Sequence, residues 1–271
     1  MFAIKQKTHG QTVGAVNPCG FLPFCHPFGL NIRPPDKVCF GQSRGRDRIM
    51  SKENNTRSGC KDVFRAFLVK NATYEGYLEI PCIKKTEEIP NRLIPFSKAV
   101  GSHDYDAWVH FYEDDVSFER LWNQPNKYLH ILKKYAGVIS PDFSVYRNMP
   151  LVMQQWNIYR SRAIGHWLQE NGIPVIANVR WSDDRTYEVC CTGVPSNSTI
   201  AIGSHGCIKL VREREFFIKG LDYAVNKLQP KTIIVYGTAP NEIFSKYRDA
   251  GINILQFDSD YMIAHRKAVI A

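Results

Sequence analysis

The residues of this chain best equipped for chemistry stand at or just after short apolar runs. Asp142 lies in the run at 137–145, with Ser144, Tyr146, Arg147 and Asn148 around it. The run at 174–181 carries Asn178 and Arg180, followed by Asp183 and Asp184. The run at 199–203 leads into Ser204, His205, Gly206, Cys207 and Lys209. Tyr236 ends the run at 232–236, and Asp258, Ser259 and Asp260 follow the last one. His110 sits inside the run at 107–112, ahead of Glu113, Asp114 and Asp115. An apolar strand cannot turn Asp142, Asn178 or Arg180 inward unless they are paired, because an unpaired buried charge costs several kcal/mol. Such residues either form a structural network at the strand ends or line a polar pocket. In the pocket reading, Asp142, His205 and Asp258 are the acid/base candidates. Arg147, Asn178, Arg180, Ser204 and Tyr236 would hold the ligand.

The segment 203–207, Gly-Ser-His-Gly-Cys, is the most suggestive local motif. Its two glycines allow a tight turn or close approach of a ligand. His205 has the chemistry of a general base and Cys207 that of a nucleophile, though a strand-capping histidine and a packed thiol have the same spacing. A histidine with carboxylates suits a divalent ion, so Asp142, His205 and Asp258 could share a metal if they converge. Cys19, Cys25, His26 and Cys39, with Cys60 further on, could bind zinc, but they lack a paired Cys-x-x-Cys knuckle. Arg44, Arg46 and Arg48 alternate with Gly45 and Asp47 and are candidates for nucleic-acid phosphate contacts, or a solvated charged loop.

The elements that must position these groups follow from periodicity. Residues 1–59 are crowded with Pro and Gly and read as an irregular arm, after which a helix is expected from Gly59 with Val63, Phe64, Phe67 and Leu68 on one face. From residue 77 apolar runs at 77–83, 93–96, 107–112, 137–145, 174–181, 199–203, 232–236 and 252–257 read as strands. Helical spacing fills 116–135 (broken near Pro125), 150–171, 212–228 and 241–250. In the 150–171 helix, Val152, Trp156, Tyr159, Ala163 and Trp167 form the apolar stripe. Gln154, Gln155, Asn157, Arg160 and Arg162 flank it, where such residues usually face solvent, although Arg147, Arg160 and Arg162 could build an anion pocket if the helix begins beside Asp142. Strands alternating with helices imply a mainly parallel sheet. The expected fold is an α/β chain with a (β/α) barrel-like sheet, closed or partial, over 60–271 as one domain, with an open doubly wound sheet as the alternative. Both place the site beyond the carboxyl ends of the strands.

Bulk composition narrows the class. With 271 residues and 44% apolar content the chain can bury a full core. No apolar run is long enough to span a membrane, and the first ten residues lack the apolar stretch of a secretory signal. Eight cysteines, two of them adjacent at 190 and 191 in a strand-like stretch, read as reduced thiols in a cytoplasmic protein. Of the net charge of +9, residues 1–59 carry +6, from nine Lys or Arg against three Asp or Glu. A basic arm on a near-neutral body suggests attraction to a polyanion, or a solubilising tail.

From about Gly59 to Met262 the chain resembles an uncharacterised protein family of phages, prophages and other mobile elements of Gram-positive bacteria. The residues that carry the resemblance are IPFSKA (94–99), WVHFYEDD (108–115), ISPDFSVYRNMP (139–150), the helix at 154–173, IANVRW (176–181), AIGSHGCIK (201–209) and KTIIVYGTAP (231–240). The resemblance implies a mobile-element context and one domain, and it brings no catalytic residues with it. The expected function is to bind, or act on, nucleic acid or a nucleotide-like phosphate ligand at the strand ends. Two rivals stand beside it: a non-enzymatic protein that intercepts a host factor or ligand, and a small-molecule hydrolase or transferase.

Overall fold

A computed structural model describes Asp62 and residues 64–270. The arm at 1–59, with Arg44, Arg46, Arg48, Cys19, Cys25, His26 and Cys39, lies outside the described residues, as does Cys60. So does the residue 59 boundary. The chain enters through a short 3-10 helix, Ala66–Val69, and a small antiparallel hairpin of β1 (Tyr74–Glu75) and β2 (Ile80–Pro81). Among the described residues the helix expected from Gly59 is reduced to this one turn, and Phe64, placed on one face with Phe67 and Leu68, is 78% exposed. The strand expected over 77–83 shrinks to two residues because a turn at 76–79 leaves Tyr77 in solvent.

Seven strands then form one sheet: β3 (Leu93–Pro95), β4 (Trp108–His110), β5 (Gly137–Ile139), β6 (Val175–Asn178), β7 (Thr199–Gly203), β8 (Thr232–Tyr236) and β9 (Asn253–Phe257). Every pair is parallel and the strands lie in sequence order. Such an order has no point at which the winding reverses, which a doubly wound sheet requires. Helices follow the strands: α1 (Phe96–Ala99), α2 (Asp115–Asn123), α3 (Pro125–Leu132), α4 (Leu151–Glu170), α5 (Tyr187–Cys191), α6 (Val211–Leu228), α7 (Asn241–Asp249) and α8 (Asp260–Ile270). Pro125 opens α3 at its first turn, where a missing N–H is harmless, and so splits the 116–135 pattern in two.

The sheet is a curled half-barrel. A flat sheet would hold β4 and β8 about 19 Å apart at the usual strand spacing. Instead the Tyr112 ring, just beyond β4, stacks on Tyr236 of β8 at 4.7 Å between centroids, and His110 reaches the same ring at 4.6 Å. Lys98 of α1 also pairs with Asp260 of α8 at 2.6 Å, linking the segments that follow the two edge strands. Alternation sorts the side chains. Val109, Val138, Val175, Ala177, Ile200, Ile202, Ile233 and Val235 join the large core with the helices. Trp108, Ile139, Ile176, Ala201 and Ile234 form a second, smaller cluster, the packed floor of the concave side. Room for the Trp108 indole comes from Gly137, where a Cβ would lie 2.5 Å from the ring.

Two local expectations fail for reasons of packing. Cys190 and Cys191 lie in helix α5, not a strand; Thr186 hydrogen-bonds back to Asp183 and starts the helical turn, and both thiols are buried with sulfurs 3.8 Å apart. Helix α4 departs from its expected faces: Gln154, Asn157, Arg160 and Arg162 are buried, and of the apolar stripe Ala163 and Trp167 are buried whereas Val152 is 70% and Trp156 43% exposed. The apolar stripe meets the entry helix, where Trp167 contacts Phe67, and toward the sheet Ser161 Oγ lies 3.2 Å from Ser140 Oγ.

Candidate ligand cavity

Beyond the carboxyl ends of β6 and β7 opens a cavity of about 890 Å³. Strand β6 runs on to deliver Arg180, Trp181 and Ser182; β7 delivers Gly203, His205, Gly206 and Cys207; the loop after β5 contributes Tyr146, Arg147 and Asn148; and the start of α6 adds Glu213 and Phe217. Arg147, Arg180 and His205 therefore share one solvent-reachable space, flanked by the rings of Tyr146, Trp181 and Phe217.

Arg180 is held from behind. Its guanidinium lies 3.4 Å from Asp142, whose other oxygen accepts from Asn178 Nδ2 at 2.8 Å. Asn178 Oδ1 in turn accepts from the Tyr112 hydroxyl at 2.9 Å. The Asn178 backbone is pinned as well, its N–H donating to Ser140 Oγ and its carbonyl accepting from Arg162. The chain Tyr112–Asn178–Asp142–Arg180 leaves each of these buried groups with a partner, which is what makes its burial tolerable. Asp142 pushes the Arg180 pKa up further. Burial raises Asp142 above the usual carboxylate range, with Arg180 and Asn178 pulling the other way. Gly203 permits this arrangement, since a Cβ there would meet the Tyr112 ring at 3.1 Å.

Arg147 is held differently. It pairs with Glu213, its guanidinium carbon lies 4.7 Å from the centroid of the Phe216 ring, and its carbonyl accepts from Arg185, itself paired with Asp183. His205 is exposed, with Nδ1 3.5 Å from Ser259 Oγ and its ring 5.7 Å from that of Tyr261. Cys207 lines the same cavity.

The expected site residues thus fall into three groups. Arg147, Arg180 and His205 line the cavity, and Asp142 and Asn178 lie directly behind it. Ser204, Tyr236 and Asp258 do not line it. Ser204 is fully buried and donates to the Thr238 carbonyl at 2.7 Å, across a close approach that Gly237 allows at φ 113°. Tyr236 fills the barrel interior, its hydroxyl accepting from the Asp260 N–H. Asp258 accepts from Gln256 Nε2 at 3.1 Å. Asp142, His205 and Asp258 accordingly do not form a metal site, and among the described residues no group of three or more His, Cys, Asp or Glu is placed to hold a metal ion.

Sequence reasoning missed Tyr112 and Glu213. Tyr112 was recoverable, because it stands two residues beyond His110 and so shares its face. His110 itself is buried and neutral, its pKa lowered to about 4 by burial, and its Nδ1 accepts from the Tyr112 N–H. Glu213 has no local signal, being a charged residue in the first turn of an amphipathic helix.

No solved structure gives a significant match to this chain. Among curated proteins, Gene 1 protein of Mycobacterium phage L5 is 36% identical over 163 residues, which is 59% of this chain and 71% of the relative. Gene 1 protein of Mycobacterium phage D29 is 32% identical over 163 residues, 59% of this chain and 60% of the relative. No helix among the described residues is long and apolar enough to cross a membrane. A family model matches residues 72–258, a span that runs from the hairpin to the end of β9 and contains every cavity residue named above. The chain belongs to that family, described as Domain of unknown function (DUF4417).

Proposed function

We propose that this phage-family protein binds a phosphate-bearing ligand of nucleotide size in the cavity beyond β6 and β7. The reading rests on one observation: Arg147, Arg180 and His205 line a single space with Tyr146, Trp181 and Phe217. Guanidinium forks match phosphate oxygens in pairs, and flat rings give a base a surface to stack on. A fork fixed by buried partners loses little freedom on binding, and Asp142 and Asn178 supply that fixation to Arg180. The volume lies within the range of small-molecule sites. Nucleic acid as the ligand is the second reading, favoured by the +6 charge of residues 1–59. His205 beside the bound phosphate has the chemistry to move a proton should the protein turn its ligand over.

Calorimetric titration of the whole chain with AMP, GMP, CMP and UMP at low salt, with adenosine as the control lacking phosphate, tests the proposal. At least one nucleotide should bind and adenosine should not. Arg180→Lys keeps the charge opposite Asp142 and loses the fork, and should weaken binding about tenfold, a loss of roughly 1.4 kcal/mol. Absence of nucleotide binding, or an unaltered affinity in Arg180→Lys with the fold intact, overturns the proposal.

A further inference from the structure

The two arginines of the cavity are neutralised from opposite sides. The carboxylate partner of Arg180, Asp142, sits behind it, only 11% exposed at the side chain, and does not line the cavity. The partner of Arg147, Glu213, is itself a cavity residue and is 37% exposed at the side chain. Arg180 can therefore receive a ligand without giving anything up, whereas Arg147 can do so fully only when Glu213 lets go. Glu213 can let go readily, because its carboxylate already touches water and stands in the first turn of α6.

From this contrast, and resting on the phosphate-ligand reading above, we infer that Glu213 is a placeholder anion that makes the cavity select a terminal phosphate over an internal phosphodiester. A ligand with a single negative charge that displaces Glu213 exchanges one anion for another on Arg147 and gains little. A terminal phosphate carries about −1.5 to −2 at neutral pH and offers three acceptor oxygens. It can occupy Arg180 and replace Glu213 on Arg147 together. A diester has one charge and two non-bridging oxygens, and must leave one of the forks poorly served. The ligand class is thus a nucleoside monophosphate or the phosphorylated end of a nucleic-acid strand.

The test compares the 5′-monophosphate that binds tightest among AMP, GMP, CMP and UMP with its methyl phosphodiester, on the whole chain and on Glu213→Gln. The wild-type protein should prefer the monoester at least tenfold. Glu213→Gln, which removes the competing charge and keeps the shape, should bind the diester more tightly and narrow that preference at least threefold. In Arg147→Lys, adding Glu213→Gln should have a smaller effect. If the wild-type protein binds the monoester and Arg180→Lys weakens it, yet monoester and diester bind alike or Glu213→Gln leaves their ratio unchanged, the selectivity role of Glu213 is refuted while the phosphate site stands. If neither probe binds the wild-type protein, the phosphate site is refuted and the placeholder role with it.

Discussion

Helices α4 and α6 are of similar length, 20 and 18 residues, and both pack in the core that backs the sheet, yet they treat their polar residues in opposite ways. Helix α6 is amphipathic in the ordinary sense: Phe217, Leu221, Ala224 and Leu228 are buried, and Arg212, Glu215, Lys219 and Lys227 face water. Helix α4 is enclosed on nearly all sides from Ile158 to Leu168, because the entry helix and the β1–β2 hairpin cover what the sheet does not. Its polar residues are fasteners. Arg162, 1% exposed, donates to the carbonyls of Asn178, Cys190 and Thr192, joining the end of β6 to α5. Arg160 grips Glu119 and Asn157 and lies over the Phe143 ring at 3.9 Å. The contrast teaches that a polar residue on a helix marks solvent only where the helix has a solvent side.

Three substitutions break or sharpen this contrast. The largest effect belongs to Arg162→Met, which keeps the length of the side chain and strands the three carbonyls. At roughly 1–3 kcal/mol for each unmet buried acceptor, the loss should be about 4 kcal/mol or more in urea unfolding. A change below 1 kcal/mol would mean that α4 is not fastened through Arg162. Next comes Gly220→Ala on α6, where the new Cβ would lie 2.2 Å from Trp181 Nε1. Overpacking of roughly 1–3 kcal/mol exceeds the ~1 kcal/mol gained from helix propensity, so stability should fall by about 1 kcal/mol and Trp fluorescence should shift as the indole moves. Fluorescence and stability identical to the wild type would show that this contact is not tight. The smallest effect is expected for Lys219→Ala on the exposed face of α6, within about 0.5 kcal/mol by the same unfolding measurement. A larger loss would show that α6 has a second buried side.

Much of the fold was legible because its signals are local. The runs at 199–203 and 232–236 match β7 and β8 residue for residue, and the helices at 212–228 and 241–250 stand within a residue of α6 and α7. Each run is apolar at a fixed period and ends at a breaker. The runs at 137–145 and 174–181 are longer than the strands they contain. Their ladders close at Ile139 and Asn178, and the residues beyond leave the sheet to build the cavity wall. Composition cannot separate a strand from the extended segment that continues it.

The candidate site divides along the same line. Arg147, Arg180 and His205 were identifiable from their place at the ends of apolar runs or just after them, since a polar group at a strand end has one usual destination in a sheet of this kind. Glu213 was not, nor was the retreat of Ser204, Tyr236 and Asp258 from the cavity.

Residue order alone dictated the alternation of faces, the helix spacings and the breakers between them, all set by neighbours a few positions apart. Tertiary structure decided which strand-end groups meet, which lie behind the wall, and that α4 has almost no open side from Ile158 to Leu168. Those outcomes depend on how tightly seven strands curl and on a cover brought from residues 66–81, contacts between positions far apart in the chain that no local pattern encodes.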